Sequence, residues 1–254
     1  MALPVGVSYD AQTLTYAIST GTSTTSIKSV IAQATSGSTI VFERGTHTIT
    51  DTLEITRNDI TVKGEGKTNT KLVFDFPGDA GDGIHVKGSY SSYSGILSSN
   101  ASAGSSTVTL KSVSGLKVGD VLHIQQKNTS SWLDANGYDN ISSSDVEIKA
   151  ISGNTVTLKA PVTHAISASL STVEVIKTVD KVTLSDFSLT YNLGTPDADD
   201  MSNARPRDAG TIAIYMDKTK DAIIKNVNVT NAPSHSIEFR TSLTPKVDSV
   251  KIDG

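Results

Sequence analysis

Apolar residues recur along this chain in two rhythms. Ile27, Val30, Ile31 and Ala34 fall at i, i+3, i+4 and i+7, the spacing of one helical face, behind Ser and Thr residues that can cap a helix start. Gly37 marks the end of that helix. From Thr39 the rhythm becomes alternation in very short runs: Thr39–Phe42, Thr48–Thr50, Leu53–Ile55 and Ile60–Val62, with polar turns between them. A helix followed by a ladder of tiny strands is the pattern of an end cap and the first coils of a solenoid. The helix would cover apolar edge groups otherwise facing water.

Further along, the units repeat. Arg57–Gly64 compares with Val179–Asp186, with Thr219–Asn226 and with Thr244–Asp253. Each is a polar turn, an apolar–x–apolar step and a small polar corner, the last suited to tight turns. The spacing from Ile223 to Val247, 24 residues, fits one turn of a β-helix. The interval from Val182 to Ile223 is longer, and Asn192–Gly210, rich in Pro, Asp and Asn, reads as a protruding loop. A second strand type lies between these units: Gly83–Lys87, Thr172–Lys177, Thr211–Met216 and Ser236–Arg240. Aligned, it predicts one inward column of Ile84, Val173, Ile212 and Ile237 and another of Val86, Val175, Ile214 and Phe239.

The stretch from Gly95 to Leu170 breaks the repeat. Ser106–Leu110, Leu116–Ile124, Val146–Ile148 and Ile151–Leu158 are strands joined by Gly-Asp and Gly-Asn turns, which are hairpin signals. The predicted organisation is a cap and first coils over 1–94, an inserted antiparallel β-barrel-like module over 95–171, and further coils over 172–254.

Composition narrows the function classes. The 254 residues suffice for a large all-β domain, and Ser, Thr, Val, Ile, Gly and Asn dominate as in strands and turns. A net charge of −4 gives no general attraction to nucleic acid or anionic membranes. The chain has no cysteine, which excludes a disulfide scaffold, a thiolate metal site and a Cys nucleophile. No segment is apolar for long enough to cross a bilayer as a helix, and the first ten residues carry no secretion-signal pattern. No Ser-His-Asp arrangement, P-loop or dinucleotide fingerprint is present.

The run Ser26–Ile49, with a cap helix, a strand and an Arg44-Gly-Thr-His47 turn, resembles the start of pectate-lyase-like β-helices, as does Leu53–Gly66. The resemblance covers residues 24–90 and 172–254. It implies a right-handed parallel β-helix in a superfamily of polysaccharide lyases, glycoside hydrolases, uronate epimerases, phage tailspikes and non-catalytic surface proteins. It selects no one reaction among them.

The aligned second strands predict a wall of outward side chains: His85, Glu174, Ala213 and Glu238 in one column, Lys87, Ile176, Tyr215 and Arg240 in the next. Loops entering this wall carry Asp79, Asp82, Asp197, Asp199, Asp200, Arg205, Arg207, Asp208 and His235. In a sugar-polymer groove Tyr215 would stack on a ring. Arg205, Arg207 and Arg240 would pair with uronate or sulfate, His85, Lys87 and Glu174 would line the groove, and Glu238, Arg240 or His235 would serve in proton transfer and enolate stabilisation. The plainer reading is that outward positions on any β-solenoid must be polar. Asp197, Asp199 and Asp200 would be the calcium ligands if one binds, or simply a soluble loop. His47, His123 and His164 lack ligand spacing and read as structural, and Trp132 and Tyr138 would tip the inserted module.

The leading expectation is a secreted or cell-surface β-helix that processes an acidic polysaccharide as lyase, hydrolase or epimerase. A non-catalytic glycan-binding or adhesin module and a structural tailspike-like segment are the alternatives. Val247–Gly254 stops in mid-repeat, so the coil is expected to continue or to be covered by another chain.

Overall fold

The structure, a computed structural model, describes residues 3–77, 81–128, 140–192 and 211–253. The chain forms two compact units, one of residues 1–88 with 179–254 and one of residues 89–178.

The first unit begins with β1 (Val7–Asp10) and β2 (Thr15–Ile18), an antiparallel hairpin. Helix α1 (Thr24–Gln33) follows, with Ser23 as N-cap accepting from the Ser26 backbone N–H at 3.2 Å. Ile27, Val30, Ile31 and Ala34 are buried against the first coils, as the helical spacing required. The helix stops at Gln33 rather than at Gly37, whose φ of +86° belongs to the turn into the next strand.

From there the chain coils through β3 (Thr39–Phe42), β4 (Gly45–Ile49), β5 (Leu53–Ile55), β6 (Thr61–Lys63), β7 (Thr70–Phe74) and β8 (Ile84–Lys87). The second unit holds β9 (Ser89–Gly95), β10 (Thr107–Thr109), β11 (Val121–Lys127), β12 (Asn140–Ser152), β13 (Thr155–Leu158) and β14 (Ser171–Lys177). The coils resume with β15 (Val179–Asp180), β16 (Thr183–Tyr191), β17 (Ile212–Asp217), β18 (Thr219–Lys220), β19 (Ile223–Thr230), β20 (His235–Arg240), β21 (Lys246–Asp248) and β22 (Lys251–Asp253).

Within the coils every strand after the opening hairpin pairs in parallel with its counterpart one turn away. Val62 pairs with both Ile40 and Leu184, and Leu184 with Ile224, each at most 1 % exposed. Ile214 pairs with Ile237 and Ile224 with Val247, so this turn takes 23 residues, one fewer than the sequence spacing suggested. The corners need a left-handed backbone. Asp59, Lys181, Asp221 and Thr244 supply it in one row, and Asp186, Asn226 and Ser249 in another, all with φ between 52° and 62°. Apart from Lys181, these are short polar residues, which hold turns that bulkier apolar ones would resist. Burying Phe42, Phe74 and Phe187 fully inside the coil stabilises it by about 2–3 kcal/mol per side chain.

The second unit is antiparallel, in the order β10-β13-β12-β11-β14-β9. Beyond β9, Lys111 N–H donates to the Ile96 carbonyl at 2.9 Å and Leu97 bridges to Leu110. These contacts join the two edges of the sheet into a barrel-like ring around Leu97, Leu110, Leu122, Ile148, Val156 and Val173. Val173 and Val175 therefore pack in this core and not in the coil's inward columns.

Candidate functional site

The outward wall of the coils is carried by β5, β8, β17 and β20, in that spatial order. Its first column is Glu54, His85, Tyr215 and Glu238; its second is Lys87, Asp217 and Arg240. His85, Lys87, Glu238 and Arg240 thus come together as the alignment predicted. Four expected placements do not hold. Glu174 lies on β14, antiparallel between β11 and β9 in the other unit, so it is not part of this wall. Tyr215 belongs to the His85 column, because β17 pairs two residues further along than the sequence alignment set it. Ala213 lies outside the wall columns and is fully buried beside Gly83. His235 opens β20 in phase with Ile237 and Phe239, and so opposite to Glu238 and Arg240. Its Nδ1 lies 3.0 Å from the neighbouring Ser234 hydroxyl. Arg205, Arg207, Asp79, Asp208, Asp197, Asp199 and Asp200 lie outside the described residues, as do Trp132 and Tyr138. Among the described residues no cluster of three or more His, Asp or Glu could hold a metal ion.

Charge on the wall is compensated pair by pair. Lys87 Nζ is 3.3 Å from Glu54 Oε2, and Arg240 Nη2 is 2.7 Å from Glu238 Oε1. Lys218 holds both oxygens of the buried Asp217, at 2.8 and 3.0 Å. Asp82 divides its oxygens: one accepts from the Ile212 backbone N–H at 2.9 Å and the other lies 3.5 Å from His85 Nδ1. Asp82 was among the loop residues expected at this wall, whereas Glu54 and Asp217 were not singled out in the sequence. Glu54 and Asp217 sit in plain alternation with known wall residues, so the correct register alone would have found them.

Tyr215 sits at the centre. The His85 ring stacks on one side, with centroids 4.4 Å apart and planes at 24°. From the following coil the Arg240 guanidinium lies 5.2 Å from the ring centroid. Both faces are covered and the residue is 8 % exposed, so the ring is not free to stack on a sugar. Burial raises the Tyr215 phenol, and Asp217 adds to this while Arg240 opposes it. Burial lowers the His85 imidazole below its ordinary value, against the pull of Asp82 and with help from Lys87. Its Nε2 is buried without a hydrogen-bond partner among the described residues. The wall is therefore a rigid His–Tyr–Arg stack flanked by exposed ion pairs, Glu54–Lys87 and Glu238–Arg240.

The other histidines keep structural company. His47 Nε2 is 2.8 Å from the Glu43 carbonyl, its ring edge-on to Phe42. His123 Nδ1 is 2.5 Å from Asp145 Oδ1 across β11 and β12. His164 Nδ1 lies 3.2 Å from the Thr163 hydroxyl.

No protein-family model and no curated protein matches the sequence. Solved structures do resemble it. The Gp54 tailspike of Acinetobacter baumannii bacteriophage AP22, in complex with A. baumannii capsular saccharide, is 17 % identical with a TM-score of 0.59, over 91 % of this chain and 40 % of that one. The tailspike gp49 of Pseudomonas phage LKA1 is 18 % identical with a TM-score of 0.61, over 89 % and 39 %. The Pseudomonas phage phi297 tailspike gp61 is 15 % identical with a TM-score of 0.57, over 90 % and 41 %. The chain spans about two-fifths of the length of these tailspikes. At such identities the likeness is one of fold: the chain is an all-β, right-handed parallel β-helix. No helix among the described residues is long and apolar enough to cross a membrane.

Proposed function

We propose that this β-helix binds an acidic polysaccharide along the wall of β5, β8, β17 and β20. The observation that carries the reading is the pair of exposed cations, Lys87 and Arg240, held at either side of the rigid His85–Tyr215 stack. Coils repeat at roughly 4.8 Å, so a polymer lying across them would meet a new row of hydrogen-bonding groups at each step. Each cation already has a carboxylate partner, and a uronate could take the place of Glu54 or Glu238 with little cost in desolvation. The capsular saccharide bound by one structural neighbour supports a glycan as ligand class. Such a ligand places the protein outside a cell or on a particle that docks to one.

Pair-by-pair charge compensation favours binding over processing, since a general base needs a carboxylate or imidazole poised for proton transfer. Glu238 is engaged by Arg240, and the free nitrogen of His85 is buried. The test is binding to immobilised uronate polymers by the wild type and by Lys87→Gln and Arg240→Gln. Each substitution is expected to weaken binding by about tenfold in a protein that stays folded. Unchanged binding in the double variant would remove the wall from consideration. Absorbance from unsaturated uronate ends, lost in Glu238→Gln, would convert the reading to that of a lyase.

A further inference from the structure

The second unit contains a cleft that the coil wall does not explain. Along β9, the pairing with β14 slips: Glu174 pairs with Ser94 but Ile176 with Tyr90, so β9 spends four steps where β14 spends two. Ser91, Ser92 and Tyr93 thus stand opposite Val175 alone, a surplus of two residues, and the Ser91 hydroxyl accepts the Tyr93 backbone N–H at 3.0 Å. Bulges of this kind re-aim side chains and interrupt pairing. On the far side, the chain pairs with β9's continuation at Ile96 and Lys111 and then departs through Ser112 to Gly115.

The resulting cleft has a volume of about 650 Å³. Tyr93 forms its floor, its ring so close over Gly95 that a Cβ there would lie 2.4 Å from the phenol oxygen. The phenol donates to the Ser112 carbonyl at 2.8 Å, which fixes the ring. Ser91, Ser92, Ser94, Ser112 and Ser114 line the cleft with it. Among the lining residues Lys111 and Lys177 are cationic and none is acidic. A second cleft of about 410 Å³ meets the first at Ile96 and Lys111. Ser171 lines it, 5 % exposed, with a hydroxyl that has no hydrogen-bond partner. Each cavity is in the size range of small-ligand sites. A fixed aromatic ring, serine-rich walls and two cations with no acidic residue beside them in the lining are the complement of a sugar that bears a negative charge.

We infer that the inserted module has its own site for a uronate-bearing oligosaccharide, seated along β9 with Lys111 at the junction of the two clefts. Lys111 and Lys177 pair with carboxylates, and Tyr93 offers an apolar surface to a sugar ring. The site does not depend on the coil wall.

The test is a titration of the full chain with trigalacturonate, followed by amide chemical shifts and calorimetry. Saturable shifts are expected in Ser91–Ile96, Lys111–Gly115 and Ser169–Thr172. Lys111→Gln and the methyl ester of the same trimer should each weaken binding there by about tenfold. Gly95→Ala, which lifts the Tyr93 ring, should weaken the acid and the ester alike. Shifts confined to Lys87 and Arg240 would overturn this site while leaving the wall intact. An affinity indifferent to Lys111→Gln would overturn it as well.

Discussion

Asn226 donates from Nδ2 to Oδ1 of Asp186 at 2.7 Å, joining two successive coils at a corner where both residues have positive φ. The corner is thus held twice, by parallel pairing of the flanking strands and by a side-chain bond along the coil axis.

That bond makes the corner sensitive to acid. Burial raises the Asp186 carboxyl, but the bonds from Asn226 and Ser185 and the charges of Lys225 and Lys63 outweigh it, and the net shift is downward. A depressed carboxylate contributes stability that is complete above its unfolded value, about 4, and is lost as pH falls through the folded one. Asp186→Asn keeps an acceptor and tolerates the left-handed turn, so it should fold. Its urea midpoint should fall less steeply than that of the wild type below about pH 4. Equal slopes for the two proteins would show that Asp186 carries none of the acid sensitivity.

Gly83 marks a close approach between two coils. It accepts from Leu53 N–H at 2.8 Å and donates to Ile212 carbonyl at 3.0 Å. A Cβ there would lie 2.5 Å from the Ala213 carbonyl oxygen and 2.9 Å from the Tyr191 hydroxyl. Backbone cannot yield as a flexible side chain can. Gly83→Ala should cost about 2–3 kcal/mol, read as a lower urea midpoint with unchanged slope.

The first three aligned repeats of the first strand type match the observed pairing residue for residue, with Thr61, Thr183 and Ile223 in one row, while the fourth is one residue out, Ile223 pairing with Lys246. They were legible because Gly64, Asp186 and Asn226 punctuate each unit at the same place, and a corner residue fixes register. The second strand type lacks that mark. Thr211–Met216 alternates without a corner inside it, and a slip of two residues preserves every inward and outward assignment. Only pairing with β8 and β20 sets Tyr215 beside His85. Thr172–Lys177 misled for a related reason, since alternation is the same in parallel and antiparallel strands. The β9 bulge was invisible because Ser89–Gly95 is polar throughout and gives no periodic signal.

The covered faces of Tyr215 predict an energetic coupling. With Arg240 over the ring, a double-mutant cycle of Tyr215→Leu and Arg240→Gln should give an interaction of about 0.5–1 kcal/mol in unfolding free energy. Tyr215→Phe keeps the ring and should leave the coupling to Arg240 nearly intact. A coupling near zero would mean that the guanidinium is held by Glu238 alone.

His85 can be read directly by titration. Its imidazole is lowered first by burial, then raised by Asp82 and lowered by Lys87. The protein therefore holds it neutral to a lower pH than an unfolded chain does, where it titrates near about 6.5. The unfolded state takes up the proton first, so this residue's contribution to stability is present above that value and declines as pH falls towards the folded one. In NMR titrations the wild-type ring should protonate below the unfolded value. Asp82→Asn removes an upward influence and should lower it further, while Lys87→Gln removes a downward one and should raise it. Opposite movements in the two variants confirm that the ring titrates within the wall field. Movement in the same direction would show instead that a change in packing around Tyr215 dominates.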